Sequence, residues 1–222
     1  MKIHRLVYIL MPLVIYMSFL WAPSAAILGD ASRIIYYHVP VAWVAVIAFI
    51  VAGVESIIII IKNDEQSLMR EERAYNTTLI GLVFTILALV TGAIWANLSW
   101  GSYWNWDPRQ ISIVILLLIY IAYFSLNSAL EGNESKGKIS SVYLILAMVV
   151  MPLFVFIIPR VYDSLHPDTI INADKKMHLE EAMKITLFTS MGAFTLLYIY
   201  IYNIMNRISA VKIKIREKRH AL

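Results

Sequence analysis

Six long apolar runs leave this chain few ways to fold. They cover about Leu6–Ala22, Val41–Ile61, Thr78–Ala96, Ile111–Leu130, Val142–Ile158 and Ile185–Met205. A bilayer core is crossed by roughly 20 apolar residues of helix. In lipid a helix is the simplest way for a segment to pair its own backbone N–H and C=O groups. The expected fold is therefore an all-α integral membrane protein, one domain over residues 1–222 with six transmembrane helices. Composition agrees: 60% of the 222 residues are hydrophobic and only 15% charged, where soluble domains hold about a quarter. The chain has no cysteine, which excludes disulfides, thiolate metal sites and covalent capture through a thiol. Ala22-Pro23-Ser24-Ala25-Ala26 imitates a signal-peptide cleavage site. The apolar run before it exceeds the usual core of about 7–15 residues, so it reads as a retained span.

Positive charge sets the orientation. Thirteen of the 19 Lys and Arg residues fall in the termini and the even-numbered connections, and six fall in the connections between them. Lys/Arg-rich loops stay inside, so both termini are expected in the cytoplasm. The tail 206–222, with Lys212, Lys214, Arg216, Lys218 and Arg219, reads as a basic segment against lipid headgroups. A net charge of +4 reports this topology and implies no nucleic-acid partner. The connections Pro23–Pro40, Asn97–Gln110 and Pro159–Lys184 then lie outside, at the plasma or inner membrane's outer face. All six tryptophans fall at or near that face. An interfacial belt should serve both faces, and it accounts for Trp21 and Trp43 but not for four tryptophans between positions 95 and 106.

The outer loop 97–110 carries Trp100-Gly101-Ser102-Tyr103-Trp104-Asn105-Trp106-Asp107-Pro108-Arg109. On a helix, Trp100, Tyr103, Trp104 and Asp107 share one face, and Pro108 stops the turn at Asp107. The expectation is a short interfacial helix between spans 3 and 4. Spacing alone leaves two uses open, a membrane anchor or a platform for a flat ligand. Arg109 either pairs with Asp107 or meets an anionic group such as a porphyrin propionate, a role for which Arg33 and Arg160 are equally placed.

Of five histidines, His4 and His220 sit in the termini. His38, in Tyr36-Tyr37-His38-Val39-Pro40, is expected at a helix entrance with Pro40 at the first helical position. His166 precedes Pro167 and so belongs to an extended or turn segment. His178 lies among charged neighbours, at a helix start capped by Asn172 or Asp174, and reads as a surface residue. His38 and His166, on one face with an aromatic loop, suit haem. Imidazole is an axial ligand of its iron, and a porphyrin is a flat apolar disc that aromatic rings can cover.

These residues resemble a family. Trp100-Gly101-Ser102-Tyr103-Trp104-Asn105-Trp106-Asp107 is similar to the tryptophan-rich WWD motif of the haem-handling proteins of cytochrome c maturation. His38-Val39-Pro40 with Ala42, and Leu165-His166-Pro167, resemble the two histidine motifs of the CcmC branch. Thr91-Gly92 and Pro108-Arg109-Gln110 fit as well, and the resemblance spans nearly the whole chain. It implies that His38 and His166 are axial ligands of haem b carried as cargo at the outer face. It further implies that Trp100, Gly101, Tyr103, Trp104, Trp106, Asp107 and Arg109 hold the ring. It implies delivery to the haem chaperone CcmE, beside the ABC transporter subunits CcmA and CcmB and the small protein CcmD, with no catalysis by this chain. Tyr103 departs from the family, where many members have Trp, and Pro108 is a form shared with the synthase-like branch.

Three rivals follow from the same residues. A CcsA-like haem synthase is larger and carries more spans and histidines. A transmembrane electron-carrying cytochrome needs ligands at two depths, and no histidine lies inside the six runs. A small-solute transporter would rest on Glu55, the clear charge within a span, for which a contact to another helix is the plainer role; Asn127 and Ser125 read the same way.

Overall fold

The computed structural model describes residues 3–26, 28–62, 67–166, 177 and 179–220. Among these, six helices are long and apolar enough to cross a membrane: α1 (Ile3–Trp21), α2 (Asp30–Lys62), α3 (Ser67–Trp100), α4 (Pro108–Ala129), α5 (Lys136–Val161) and α6 (Glu181–Arg219). The protein is an all-α multi-pass membrane protein. His178, Pro167 and the expected caps Asn172 and Asp174 lie outside the described residues.

The bundle is built around α2. Val41, Val44, Ala45 and Ala48 pack against Ile80, Phe84 and Ala88 of α3 and against Phe194 and Tyr198 of α6. Phe49 turns the other way, to Leu116 and Tyr120 of α4 and Ala147 and Met151 of α5. Lipid tails are as apolar as leucine, so transmembrane helices associate through close packing, which small residues permit. Gly81 shows the point: a Cβ there would lie 2.2 Å from the Tyr120 hydroxyl. That hydroxyl donates instead to the Ala45 carbonyl at 3.1 Å, tying α4 to α2.

Pro40 lies inside α2, not at its first position as its sequence context predicts. An internal proline has no N–H for the carbonyl four residues earlier, here Tyr36. The buried Ser190 hydroxyl of α6 donates to that carbonyl. A neighbouring helix thus supplies the missing donor, which lets the helix run on and carries His38 within it.

The expected interfacial helix after α3 does not form; residues 101–107 are irregular. Gly101, at φ 79°, takes the left-handed conformation that ends helices, and its N–H bonds Asn97 O at 2.9 Å. Asp107 caps α4 and Pro108 opens it. Helix termination and initiation signals only six residues apart override the helical spacing of the aromatic residues between them. α5 also departs from regularity: after Pro152 it widens into a π turn over Leu153–Ile157.

The N-terminus lies at the end of the bundle away from that loop, where His4 packs near Tyr200 of α6. At that end polar side chains knit the helices. Glu55 accepts from the Tyr202 hydroxyl at 3.1 Å, Asn76 donates to Asn206 at 2.9 Å and Ser209 to Glu72 at 2.8 Å. Glu55 therefore makes the interhelical contact expected of it, as does Asn127 with Ser140 at 3.3 Å. Ser125 instead returns to Ile121 O of its own helix.

Replacing Ser190 by Ala strands the Tyr36 carbonyl. A buried polar group left unpaired costs about 1–3 kcal/mol, so Ser190→Ala should lower the thermal unfolding midpoint in detergent. Ser125→Ala, which removes only a bond within its own helix, should leave it unchanged.

Candidate functional site

At the end of the bundle opposite the termini, a cavity of about 540 Å³ opens between α2, α3, α4, α5 and α6. Its wall is apolar: Val46, Phe49, Ala88, Ile113, Leu116 and Phe154 are among its lining residues. The polar groups that reach it are few, and His38, His166, Arg109, Gln110 and Arg160 are among them. That is the usual make-up of a small-molecule pocket, apolar walls with a few convergent polar groups.

His38 is fixed from α3. Its Nδ1 lies 3.0 Å from Thr91 Oγ1. The Thr91 hydroxyl already donates to Leu87 O at 2.7 Å, so its oxygen is the acceptor and His38 Nδ1 carries the proton. Nε2 keeps its lone pair. Gly92 makes the approach possible: a Cβ there would come within 2.9 Å of His38 Cε1.

His166 is fixed by a carboxylate. Asp107 is only 3% exposed. Its Oδ1 accepts from Arg109 N at 2.9 Å and faces His166 Nδ1 at 3.1 Å. Its Oδ2 accepts from Leu165 N at 2.7 Å and from Ser164 Oγ at 2.9 Å. Burial works to raise the Asp107 carboxyl, but the bonds from Arg109, Leu165 and Ser164 and the neighbouring His166 outweigh it and hold it below the ordinary carboxylate range. Burial, aided by the Arg109 charge, lowers the His166 imidazole to about 4 against the pull of Asp107. At neutral pH the pair is therefore a carboxylate accepting from a neutral imidazole, with Nε2 again carrying the lone pair.

The aromatic residues divide into two groups. Trp95 and Trp100 brace the His166 ring, at centroid distances of 5.1 and 4.9 Å. Thr91 and Trp95 are about one turn apart on α3, so the two imidazoles are stationed against one helix. Tyr103 and Trp106 are 60% and 75% exposed, and Trp104 packs on Trp106. These three belong to the loop's outer surface. Gln110 pins that loop from below, its side chain accepting from Asn105 N at 2.8 Å and donating to Tyr103 O at 3.1 Å. Trp106 has φ 56°, a conformation rare for a bulky residue and one that collects at functional sites.

Sequence reasoning thus named residues that the fold brings together, His38, His166 and Arg109, with Trp100 and Asp107 behind them. It missed Thr91 as the partner of His38, Trp95, and the structural work of Gln110. Arg33 is committed elsewhere: it donates to Ser18 O at 2.6 Å and Ala22 O at 3.0 Å and pairs with Asp30, closing the end of α1. What joins Asp107 to Arg109 is the cap bond from the backbone N–H.

The chain as a whole is similar to known proteins. The family profile described as heme exporter protein C, CcmC, matches residues 1–221. Heme exporter protein C of Rhodobacter capsulatus is 30% identical over 207 residues, 92% of this chain and 84% of its own. That of Escherichia coli K12 is 28% identical over 180 residues, 81% and 71% of the two chains. A ccmC-like mitochondrial protein of Marchantia polymorpha, named for cytochrome c biosynthesis, is 29% identical over 188 residues, 84% and 77%.

Asp107→Asn keeps the side chain's volume but replaces one acceptor oxygen with a donor. The His166 ring should lose its fixed tautomer and the Leu165 amide its protection. Histidine 15N shifts should report mixed tautomers at His166 and an unchanged His38, with faster hydrogen exchange confined to residues near 164–166.

Proposed function

The chain belongs to the CcmC family, and from that premise we propose that it binds haem b as cargo between His38 and His166 and hands it to a membrane-anchored chaperone of the CcmE type. The family's place is haem handling in cytochrome c maturation. The single observation that carries the finer reading is the pairing of both Nδ1 atoms, His38 with Thr91 and His166 with Asp107. It leaves the Nε2 lone pair of each ring uncommitted by these bonds, on two histidines that line one cavity. Metal-binding histidines are typically held in this way, by a partner on the other ring nitrogen.

The rest of the site fits the same cargo. The cavity's volume lies in the range of small-molecule pockets, roughly 300–1,000 Å³, and its apolar wall suits a porphyrin face. Arg109 and Arg160, both at its polar end, suit the two propionates. Tyr103, Trp104 and Trp106 form an exposed aromatic rim, which in this reading meets the chaperone and shields the edge of the ring. The site faces the periplasm or the outside, with both termini cytoplasmic and the basic tail on the lipid headgroups. CcmA, CcmB and CcmD are the expected companions. Glu55, committed to Tyr202, gives a solute transporter little support.

Purified protein from haem-replete cells should show a Soret band that a His38→Ala, His166→Ala double variant lacks. Thr91→Val, which leaves the His38 Nδ1–H without its acceptor, should weaken haem affinity about 10–100-fold in a titration, as loss of such partners does at metal sites. Co-expressed separately with a haem chaperone or an apocytochrome, the chain should yield covalent haem on the chaperone. Haem on the apocytochrome alone would move it to the synthase branch.

A further inference from the structure

Part of the cavity lining is exposed on the flank of the bundle. α5 and α6 pack against opposite flanks of α2, and among the described residues they hardly touch each other. The slot between them is walled by Phe156 of α5 and Phe188 of α6, with Trp43 of α2 at the back, and all three also line the cavity. They are 38%, 55% and 41% exposed, so the cavity surface continues onto the flank of the bundle. Phe188 lies two turns inside the start of α6, about 10 Å below its end, at acyl-chain depth in a spanning helix. Below it Trp43 Nε1 donates to Thr195 Oγ1 at 3.2 Å, which ties α2 to α6. The π turn of α5 (Leu153–Ile157) sits beside the opening. Such wide turns are commonly found at functional sites.

We propose that this slot is the entrance for the cargo, and that haem enters the cavity sideways from the lipid of the leaflet at that end of the bundle. The inference rests on the haem-binding reading above. Its physical ground is the match between the slot's polarity and an amphipathic ring. A porphyrin dissolved in a leaflet keeps its two carboxylates at the headgroups and its apolar edge among the acyl chains. Carrying a carboxylate into hydrocarbon is expensive, and so is exposing the apolar ring to water. Sliding laterally through the slot requires neither. The apolar edge passes Phe156 and Phe188 while the carboxylates travel at the level of Arg109 and Arg160, in the first turn of α4 and the last turn of α5. Entry from the aqueous end would instead lead the apolar edge past the polar groups.

The chain has no cysteine, so a single one can be placed and modified after folding. Phe188→Cys protein is reconstituted in phosphatidylcholine vesicles and half is alkylated with a bulky maleimide. Haemin preloaded into the bilayer is then the probe, and the growth of the His-dependent Soret band is timed. Leu118→Cys, on the lipid-facing side of α4, is the control. The expected result is uptake slowed about tenfold, some 1.4 kcal/mol of added barrier, by alkylation at position 188, and no slowing at position 118. Unchanged uptake by fully alkylated protein, or equal slowing at both positions, overturns the lateral entrance and leaves haem binding standing. Absence of any His-dependent band in unmodified protein overturns the haem reading, and the entrance with it.

Discussion

One buried carboxylate organises the functional end of this protein. Asp107 ends the aromatic loop, caps α4 and receives the chain after α5 through Ser164, Leu165 and His166. A carboxylate at 3% exposure is tolerated because its two oxygens take four hydrogen bonds, and those bonds come from segments more than fifty residues apart. Three otherwise independent pieces of chain therefore share one anchor. The position of a histidine that belongs to no helix is set by the start of a helix that is rigid.

The gross architecture was legible because lipid makes strong demands. Long apolar runs must be helices, and the one-sided tryptophans and paired histidines pointed to one end of the bundle. What periodicity could not show was how the loop between α3 and α4 is held. A 3.6-residue pattern across Trp100, Tyr103, Trp104 and Asp107 suggested a helix, yet Gly101 and the Asp107-Pro108 cap are stop and start signals that override it. The same local bias misplaced Pro40. Read alone, a proline near an apolar run marks a helix start. In the fold, Ser190 from 150 residues onward completes the hydrogen bond that the proline breaks. Side chains acting across helices, as Thr91 does on His38, leave no mark in local sequence. Thr91-Gly92 is legible in the sequence only through the family resemblance.

The aromatic stretch also proves to be two things. Its first tryptophan belongs to the interior, where with Trp95 it forms a wall behind the His166 ring. The later ones face outward. A wall behind an imidazole limits its swing, and Asp107 limits its rotation. Exposed Trp106 in a left-handed conformation has no such packing role. The backbone around it is instead fastened by Gln110 and Asn105, so strain at Trp106 is balanced by hydrogen bonds from beneath. That is the arrangement of a surface presented for contact.

The two imidazoles are held in the same tautomer by unlike partners, and the difference bears on release. His166 leans on a carboxylate, which strengthens a ligating imidazole, and it is carried by a segment outside the helices. His38 leans on a neutral hydroxyl and is set within α2, wedged over Gly92. On the proposed reading, the stronger donor is therefore held through Asp107 and the weaker donor sits within a helix. A carrier has to bind its cargo and also give it up, and two equally strong, equally rigid ligands would serve only the first task. On that reading a bond to His38 would be electronically the easier to break. Loss of the Asp107 bonds would weaken the stronger ligand and release the segment that carries it, because the same carboxylate does both.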